Sequence, residues 1–436
     1  MIAGASRSFL SVGMNKFLQI FKIKDLRNKI FIVLGILVVF RLLAAIPIPG
    51  ADPARLNQFF GGNQFFGFLN LFSGGGLANL SVAMLAVGPY ITSTIIMQLL
   101  TMIFPKFKQM YYEEGARGQA KFNQYARILT VPLAILQSYG FLNILIARGV
   151  IDRPSLFGLA TNVLAITAGS MIALWLGELI SEQKIGNGIS FIILAGIISR
   201  LPTDIRDAIA SFTPAQLPTY IGFIIVGVLI IAGIVYLNEG ERKIPVSYAR
   251  RVRGMKMYGG VASYLPLKVN QAGMIPLIFA ISVLLFPQFF AQIVGSISPS
   301  LGVKVNDAVN GFLANQLFYG IVYFILVVAF TFFYTAITFN PKELSKNLQR
   351  SGGFVPGIRP GEATSTFFSR IVNRVTLAGA VFLGTVAVLP IIIQKFTGIA
   401  VLNISGTALL IVVAVALETM RQIDSQLTVR GYEGIE

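Results

Sequence analysis

The chain has 436 residues and no cysteine or histidine, one tryptophan, and only 18 acidic residues against 35 lysines and arginines. Without cysteine there is no disulfide framework, no thiolate metal site and no thiol nucleophile. Without histidine the usual general base and the commonest metal ligand are missing. Charged residues make up 12% of the chain and hydrophobic residues 55%, with a mean hydropathy of +0.74, far from soluble globular usage. No stretch is polar enough to form a soluble domain. A GK[ST] phosphate loop is absent, and SGGG (73–76) and GNG (186–188) are too generic to cradle a nucleotide. These absences argue against an enzyme, and neither cofactor nor metal is expected.

Apolar runs of spanning length take the place of catalytic groups. A membrane helix needs about 20 apolar residues. Ten runs meet that length in the first half as Ile30–Ile46, Leu80–Phe104, Ala126–Ala147, Leu156–Ile180 and Ile189–Ala210. The second half adds Tyr220–Leu237, Ala272–Val294, Gln316–Phe339, Ile371–Ile393 and Gly398–Met420. Arg200, Pro202 and Asp204 interrupt the fifth.

Lysine and arginine placement orients these spans. Arg55, Arg148, Arg153, Arg200, Arg206, Lys304 and Lys395 fall on one side, and Arg41 lies within the first span. All the other cations fall on the opposite side, so the positive-inside rule predicts ten spans with both termini in the cytoplasm. An odd number of spans would scramble that separation. Residues 1–29 form a basic N-tail, interrupted by Lys or Arg too often for a signal peptide and suited to the anionic inner leaflet.

The spans divide into halves of five, residues 30–213 and 214–421, followed by a cytoplasmic C-tail, 422–436. Five is odd, so the second half enters the membrane inverted, an arrangement that builds a pathway where the halves meet. Ahead of the second span, the apolar run from Phe65 to Phe72 is too short to cross and breaks at SGGG. Irregular backbone at membrane depth survives only against protein or a water-filled cavity. This half-helix and hinge therefore predict an element that lines or blocks a pore. No acid lies mid-span, since Glu178 and Glu418 sit in end turns, so an ion-coupled engine is missing and the chain reads as a passive conduit.

Two cytoplasmic loops read as docking surfaces. In 238–269 the segments KIPVSYARRV and MKMYGG alternate as a β-hairpin would, with Arg250, Arg251, Arg253 and Lys256 among seven cations. In 340–366, GGFVPGIRPGE predicts a compact Gly/Pro turn presenting Arg359.

LNLFSGGGLANLSV, VGPYITSTIIMQLL, EQKIGNGISFII, LPLKVNQAGMIPLIFA, FNPKELSKNL and GGFVPGIRPGE stand in one order. Together they resemble the SecY family, the channel subunits of the bacterial protein translocase, from about Ile30 to Gly431. The resemblance implies an all-α integral membrane protein, a ten-helix clamshell around a central pore with a re-entrant plug half-helix. Unfolded secretory polypeptide would pass through it, and membrane segments would leave by a lateral gate between spans two and three and spans seven and eight. The plug would comprise Phe68, Leu71, Phe72, Ser73, Gly74, Gly75, Gly76 and Leu77. The pore ring would comprise Val87, Ile91, Ile193, Ile278, Ile281 and Ile411, aliphatic side chains that fit around a passing chain and leave a dry gap for ions. Gln98 and Asn187 match gate positions, as buried amides hydrogen-bonded across two helices. Arg359 matches the arginine that engages the SecA ATPase or the ribosome. The resemblance further implies SecE and SecG as small membrane subunits, signal sequences as gate ligands, and the bacterial cytoplasmic membrane as location.

Because the chain lacks cysteine, single substitutions give an unambiguous labelling map. Lys256→Cys and Arg359→Cys should react with an impermeant maleimide only from the cytoplasmic side, and Lys304→Cys only from outside. Labelling of positions 304 and 359 from the same side would sink the ten-span arrangement.

Overall fold

Proline placement decides where the helices of this chain begin. Lacking an N–H and fixed at a helical φ, proline suits a first helical turn and disrupts a helix interior. The computed structural model describes residues 23–49, 73, 76–77, 79–147, 149–210, 212–248, 251–253, 256–258, 262–297, 315–397 and 406–433, with isolated residues between 301 and 311. Its helices are α1 (Lys24–Ala45), α2 (Gly88–Ile103), α3 (Pro105–Tyr112), α4 (Gly115–Ala147), α5 (Leu156–Glu182), α6 (Gly188–Ala210) and, after a 3-10 turn at Pro214–Gln216, α7 (Leu217–Glu239). Beyond four strands come α8 (Ile275–Ile297), α9 (Gln316–Thr338), α10 (Pro341–Arg350), α11 (Glu362–Thr397) and α12 (Gly406–Glu433).

Each of the ten expected spans is met by a long helix, namely α1, α2, α4 to α9, α11 and α12. Among the described residues α1, α4, α5, α7, α9 and α11 are apolar and long enough on their own to cross a membrane. The pair α2 and α3 bends by 110° at Phe104, whose extended backbone is what a following proline imposes. Helix α12 continues to Glu433, beyond Met420 where the expected apolar run stops. The expected N-tail is described only from Ile23, and the half-helix Phe65–Phe72 lies outside the described residues.

The second expected span, Leu80–Phe104, needs correction. Helix α2 starts only at Gly88, because Pro89 in its first turn cannot donate back to the carbonyl a continued helix would offer. From Gly76 to Val87 the chain runs through successive turns, with Leu80 and Ala86 at positive φ (41° and 40°). Its backbone groups are nonetheless paired. Ile48 N donates to Leu80 O (2.8 Å), Val82 N to Ile46 O (2.9 Å), and the Ser170 hydroxyl of α5 to Ala86 O (2.7 Å).

Two compact units emerge, Met1–Arg206 with Val415–Glu436, and Asp207–Ala414. In the first, Leu77, Leu80 and Met84 from the turn segment share a core with Ile48, Phe141, Leu142, Leu145 and Ile166. Helix α2 packs along α4, where the Ser93 hydroxyl donates to Ala126 O and Gln137 Nε2 to Thr92 Oγ1 (3.3 Å). Short α3 folds back through Met110, Phe107 and Tyr111 onto Met97, Phe122 and Ala126.

In the second unit, β1 (Glu241–Tyr248) pairs antiparallel with β4 (Ala262–Lys268), Ile244 opposite Leu265. The strand β5 (Gly353–Phe354) adds to the other edge of β1, giving the order β4-β1-β5. At the tip of the hairpin β2 (Arg251–Arg253) pairs with β3 (Lys256–Tyr258). The hairpin is as expected, with one correction. KIPVSY pairs with ASYLPLK, and MKMY supplies β3 at the tip. The reason is the period-two face, which sets Ile244 against Leu265 and joins them to a core with Leu267, Val355, Phe368, Ile371 and Val372.

The turn segment sits so close to α5 that a Cβ at Gly169 would lie 2.2 Å from the Val82 carbonyl oxygen. Gly169→Val should therefore cost about 1–3 kcal/mol or more through overpacking against backbone. Gly35→Val on α1, where a Cβ meets nothing within 4 Å, should be neutral. Thermal unfolding of purified protein in detergent measures both, and equal midpoints would refute the contact.

Candidate functional site

The six residues expected to form the constriction are aliphatic and buried in the structure. Val87 (0% exposed) precedes α2, Ile91 (6%) lies in its first turn and Ile193 (0%) is on α6. Ile278 (7%) and Ile281 (3%) are one turn apart on α8, and Ile411 (1%) is on α12. Three belong to each compact unit. The backbone links Val87 to Ile91, whose N–H donates to the Val87 carbonyl (3.0 Å).

Of the expected plug, Ser73, Gly76 and Leu77 are described, while Phe68, Leu71, Phe72, Gly74 and Gly75 lie outside the described residues. Ser73 is buried, and its hydroxyl accepts the Leu77 N–H (3.0 Å) while its carbonyl accepts the Gly76 N–H (3.2 Å). Leu77 is buried in the first unit's core. The chain leaving the glycines is thus fixed by packing and by a local side-chain bond.

The amides differ from their expected arrangement. Asn187 is exposed, and its Oδ1 accepts the N–H groups of Ile189 (3.0 Å) and Ser190 (3.3 Å), capping α6. A short side chain at a helix start reaches its own backbone more readily than another helix, so the reading of Asn187 as a buried cross-helix amide is corrected. Gln98 on α2 is half-buried, and its Oε1 is fully enclosed without a hydrogen-bond donor. The α2–α4 hydrogen bonds fall instead on Ser93 and Gln137, which sequence reasoning passed over. Their signal was available, since polar residues inside apolar spans mark helix contacts.

The two cytoplasmic loops merge into one platform. Val355 and Ile358 of the 340–366 loop join the core of the β1–β4 hairpin, with Leu344 and Leu348 of α10 and Phe368 at the start of α11. The Ser345 hydroxyl donates to Gly361 O (2.6 Å) and the Thr364 hydroxyl to Arg359 O (2.9 Å). Gly357 and Gly361, at φ +80° and +100°, permit the turn that leaves Arg359 exposed. On the same platform Arg253 stands directly opposite Lys256 and Arg251 opposite Tyr258, while Arg250 lies outside the described residues. Like charges face to face destabilise a ladder, so this tip favours an anionic partner. Among the described residues no cluster of three or more acidic side chains could hold a metal ion.

Comparison with known proteins fits this architecture. The SecY family model matches residues 81–420. The protein translocase subunit SecY of Mycobacterium bovis is 40% identical over 442 residues, covering 97% of this chain and 99% of the relative. That of Corynebacterium glutamicum is 40% identical, covering 97% of this chain and 100% of the relative. Among solved structures, one described as a protein conducting channel superposes with a TM-score of 0.62 at 19% identity, covering 91% of each chain. Sec61 in a canine ribosome–channel complex superposes with a TM-score of 0.59 at 18% identity, again covering 91% of each. With ten helices at the ten expected spans and these relatives along nearly its whole length, the chain belongs to the SecY family of protein translocase channel subunits, multi-pass membrane proteins and not enzymes.

Proposed function

We propose that this channel subunit acts in the bacterial cytoplasmic membrane, with both termini inside, and passes unfolded secretory polypeptide through a constriction of Val87, Ile91, Ile193, Ile278, Ile281 and Ile411. Phe68 to Leu77 is the plug at rest. The second, third, seventh and eighth spans, with Gln98 and Asn187 at their ends, form the lateral gate that signal sequences open. SecE and SecG are the small membrane subunits, and anionic lipids hold the N-tail. SecA or the ribosome drives transport by docking on Arg359 and the hairpin cations Arg250, Arg251, Arg253 and Lys256. The observation that carries this reading is that all six ring positions hold branched aliphatic residues and all are buried. Such side chains yield to a peptide of any sequence yet give ions no polar lining. The docking part is supported by an exposed arginine on a turn fastened to a folded platform.

Two measurements test it. Ile91→Asn combined with Ile278→Asn should raise the resting ion conductance of channels in planar bilayers, because amide side chains let water wet the constriction. Shortening Phe68–Leu77 should do the same, and unchanged conductance in both would reduce these residues to packing. Arg359 is exposed, so Arg359→Glu should change stability by no more than about 0.5 kcal/mol. A charge-assisted contact to an acidic partner is worth about 1.5–3 kcal/mol, so ATP-driven export into vesicles should collapse while expression and co-purification of small subunits persist. Export at the parental rate would move docking to the hairpin cations.

A further inference from the structure

Where the hairpin returns to the membrane helices, three helices of the second unit meet at one buried asparagine. Asn270 is 8% exposed and lies between β4 and α8. Its Nδ2 donates to Asn238 Oδ1 (2.8 Å), in the last turn of α7, and to the carbonyl of Gly273 (3.2 Å), just ahead of α8. The Gly273 carbonyl can only accept, so the nitrogen of this amide must face it. Beside it Val269 N donates to Gly240 O (2.8 Å), closing the base of the hairpin. The carbonyl oxygen of Val269 lies against Gly379 of α11, where a Cβ would approach to 3.2 Å.

The other ends of these amides are unusual. Asn270 Oδ1 and Gln271 Oε1 are both enclosed with no hydrogen-bond donor. Buried acceptors left this way raise the free energy of the arrangement that strands them. The turn 269–274 is thus held by the Asn270 nitrogen alone on its side-chain side, while two acceptors remain open to a different pairing. A few residues on, α8 carries Ile278 and Ile281, and Ile278 N bonds back to Met274 O (3.4 Å).

We propose that Asn270 is a positioning residue, a clamp that carries movement of the cytoplasmic platform into α8. The inference rests on the docking reading above and deepens it, because it says through which atoms a docked partner acts on the constriction. The platform has its own hydrophobic core and moves as a body. Its hairpin leaves the membrane at Asn238 and returns at Asn270, so a tilt of the hairpin pulls on both. With the amide bond in place, the end of α7 and the start of α8 shift together, and Ile278 and Ile281 shift with them. Without it, the turn absorbs the movement by pairing its stranded acceptors differently.

The test uses membrane vesicles carrying the full chain with its small subunits, the purified motor ATPase and a precursor. Asn270→Leu keeps the volume and removes the hydrogen bonds. Asn238→Leu, at a half-buried position, removes the same bond from the α7 side and serves where the first variant folds poorly. Each should leave binding of the ATPase to the vesicles at the parental affinity and lower the export rate at saturating ATPase about fivefold, the factor carried by one net hydrogen bond. The double variant should be no worse than either single one, because both remove one shared interaction. Parental export by both single variants overturns the clamp. Loss of ATPase binding together with export also overturns it, since Asn270 then merely holds the platform's shape. Failure of the parental chain itself to bind the ATPase overturns the docking reading, and the clamp with it.

Discussion

Hydrocarbon offers a backbone nothing to hydrogen-bond with, and most of this structure answers that constraint. A helix meets it internally, which is why ten long helices account for the ten apolar spans. The instructive stretch is the one that is not helical. Between Gly76 and Val87 the chain makes turn after turn, and its polar groups find partners in the turns themselves, in Ile46 and Ile48, and in the Ser170 hydroxyl. Leu80 and Ala86 accept a left-handed backbone to do so, a conformation costing about 1–3 kcal/mol each unless the surroundings impose it. The surroundings do impose it. The bridge between Pro47 and Ser81 ties one side, and the bare backbone of Gly169 lets α5 press against the other. The segment joining the plug region to α2 is therefore a fixed part of the first unit.

The same need for closure shapes the cytoplasmic face differently. There water is available, and ordering comes from a small hydrophobic core shared by the hairpin, α10, the Arg359 turn and the start of α11. Two loops far apart in sequence become one surface, with β5 adding a third strand and Ser345 and Thr364 fastening the turn. Ordering a loop on binding consumes affinity, and a platform ordered beforehand avoids that loss. Helix α11 also runs from this platform through its expected span without a break, so platform and membrane segment share one rigid element.

Much of this was legible in the sequence, and the exceptions have physical causes. Hydropathy and charge located all ten spans, and Gly and Pro spacing located the Arg359 turn. Hydropathy could not separate turns from helix in Leu80–Val87, because both bury the same side chains. Only Pro89 marked the boundary, one residue inside the helix it starts. Alternation revealed a hairpin but not its register, which depended on Leu265 and Leu267 reaching the core shared with Phe368, more than a hundred residues later. Asn187 was misread because a polar residue at a span's end serves equally well as a cap or as a bridge. Position alone does not choose between them; the three-residue reach to Ser190 does. The aliphatic constriction residues carried no signal of their own among so many buried isoleucines, and only resemblance to the family singled them out.

Helix α2 shows how one short span combines roles that would conflict if mixed. Its hydroxyl-bearing residues Thr92 and Ser93 bond to α4 through Gln137 and the Ala126 carbonyl, fastening the two helices along one face. Such bonds are worth only about 1 kcal/mol each between membrane helices, so two of them hold α2 to α4 without locking it. Val87 and Ile91 at its start offer nothing but aliphatic surface. Toward its other end Gln98 keeps an enclosed carbonyl oxygen without a donor, a state disfavoured by about 1–3 kcal/mol. A segment that brought an N–H or O–H to that oxygen would recover this free energy without disturbing the bonds to α4, since those occupy different residues. The helix is thus firmly attached at the polar contacts it already has, and receptive at the one it lacks.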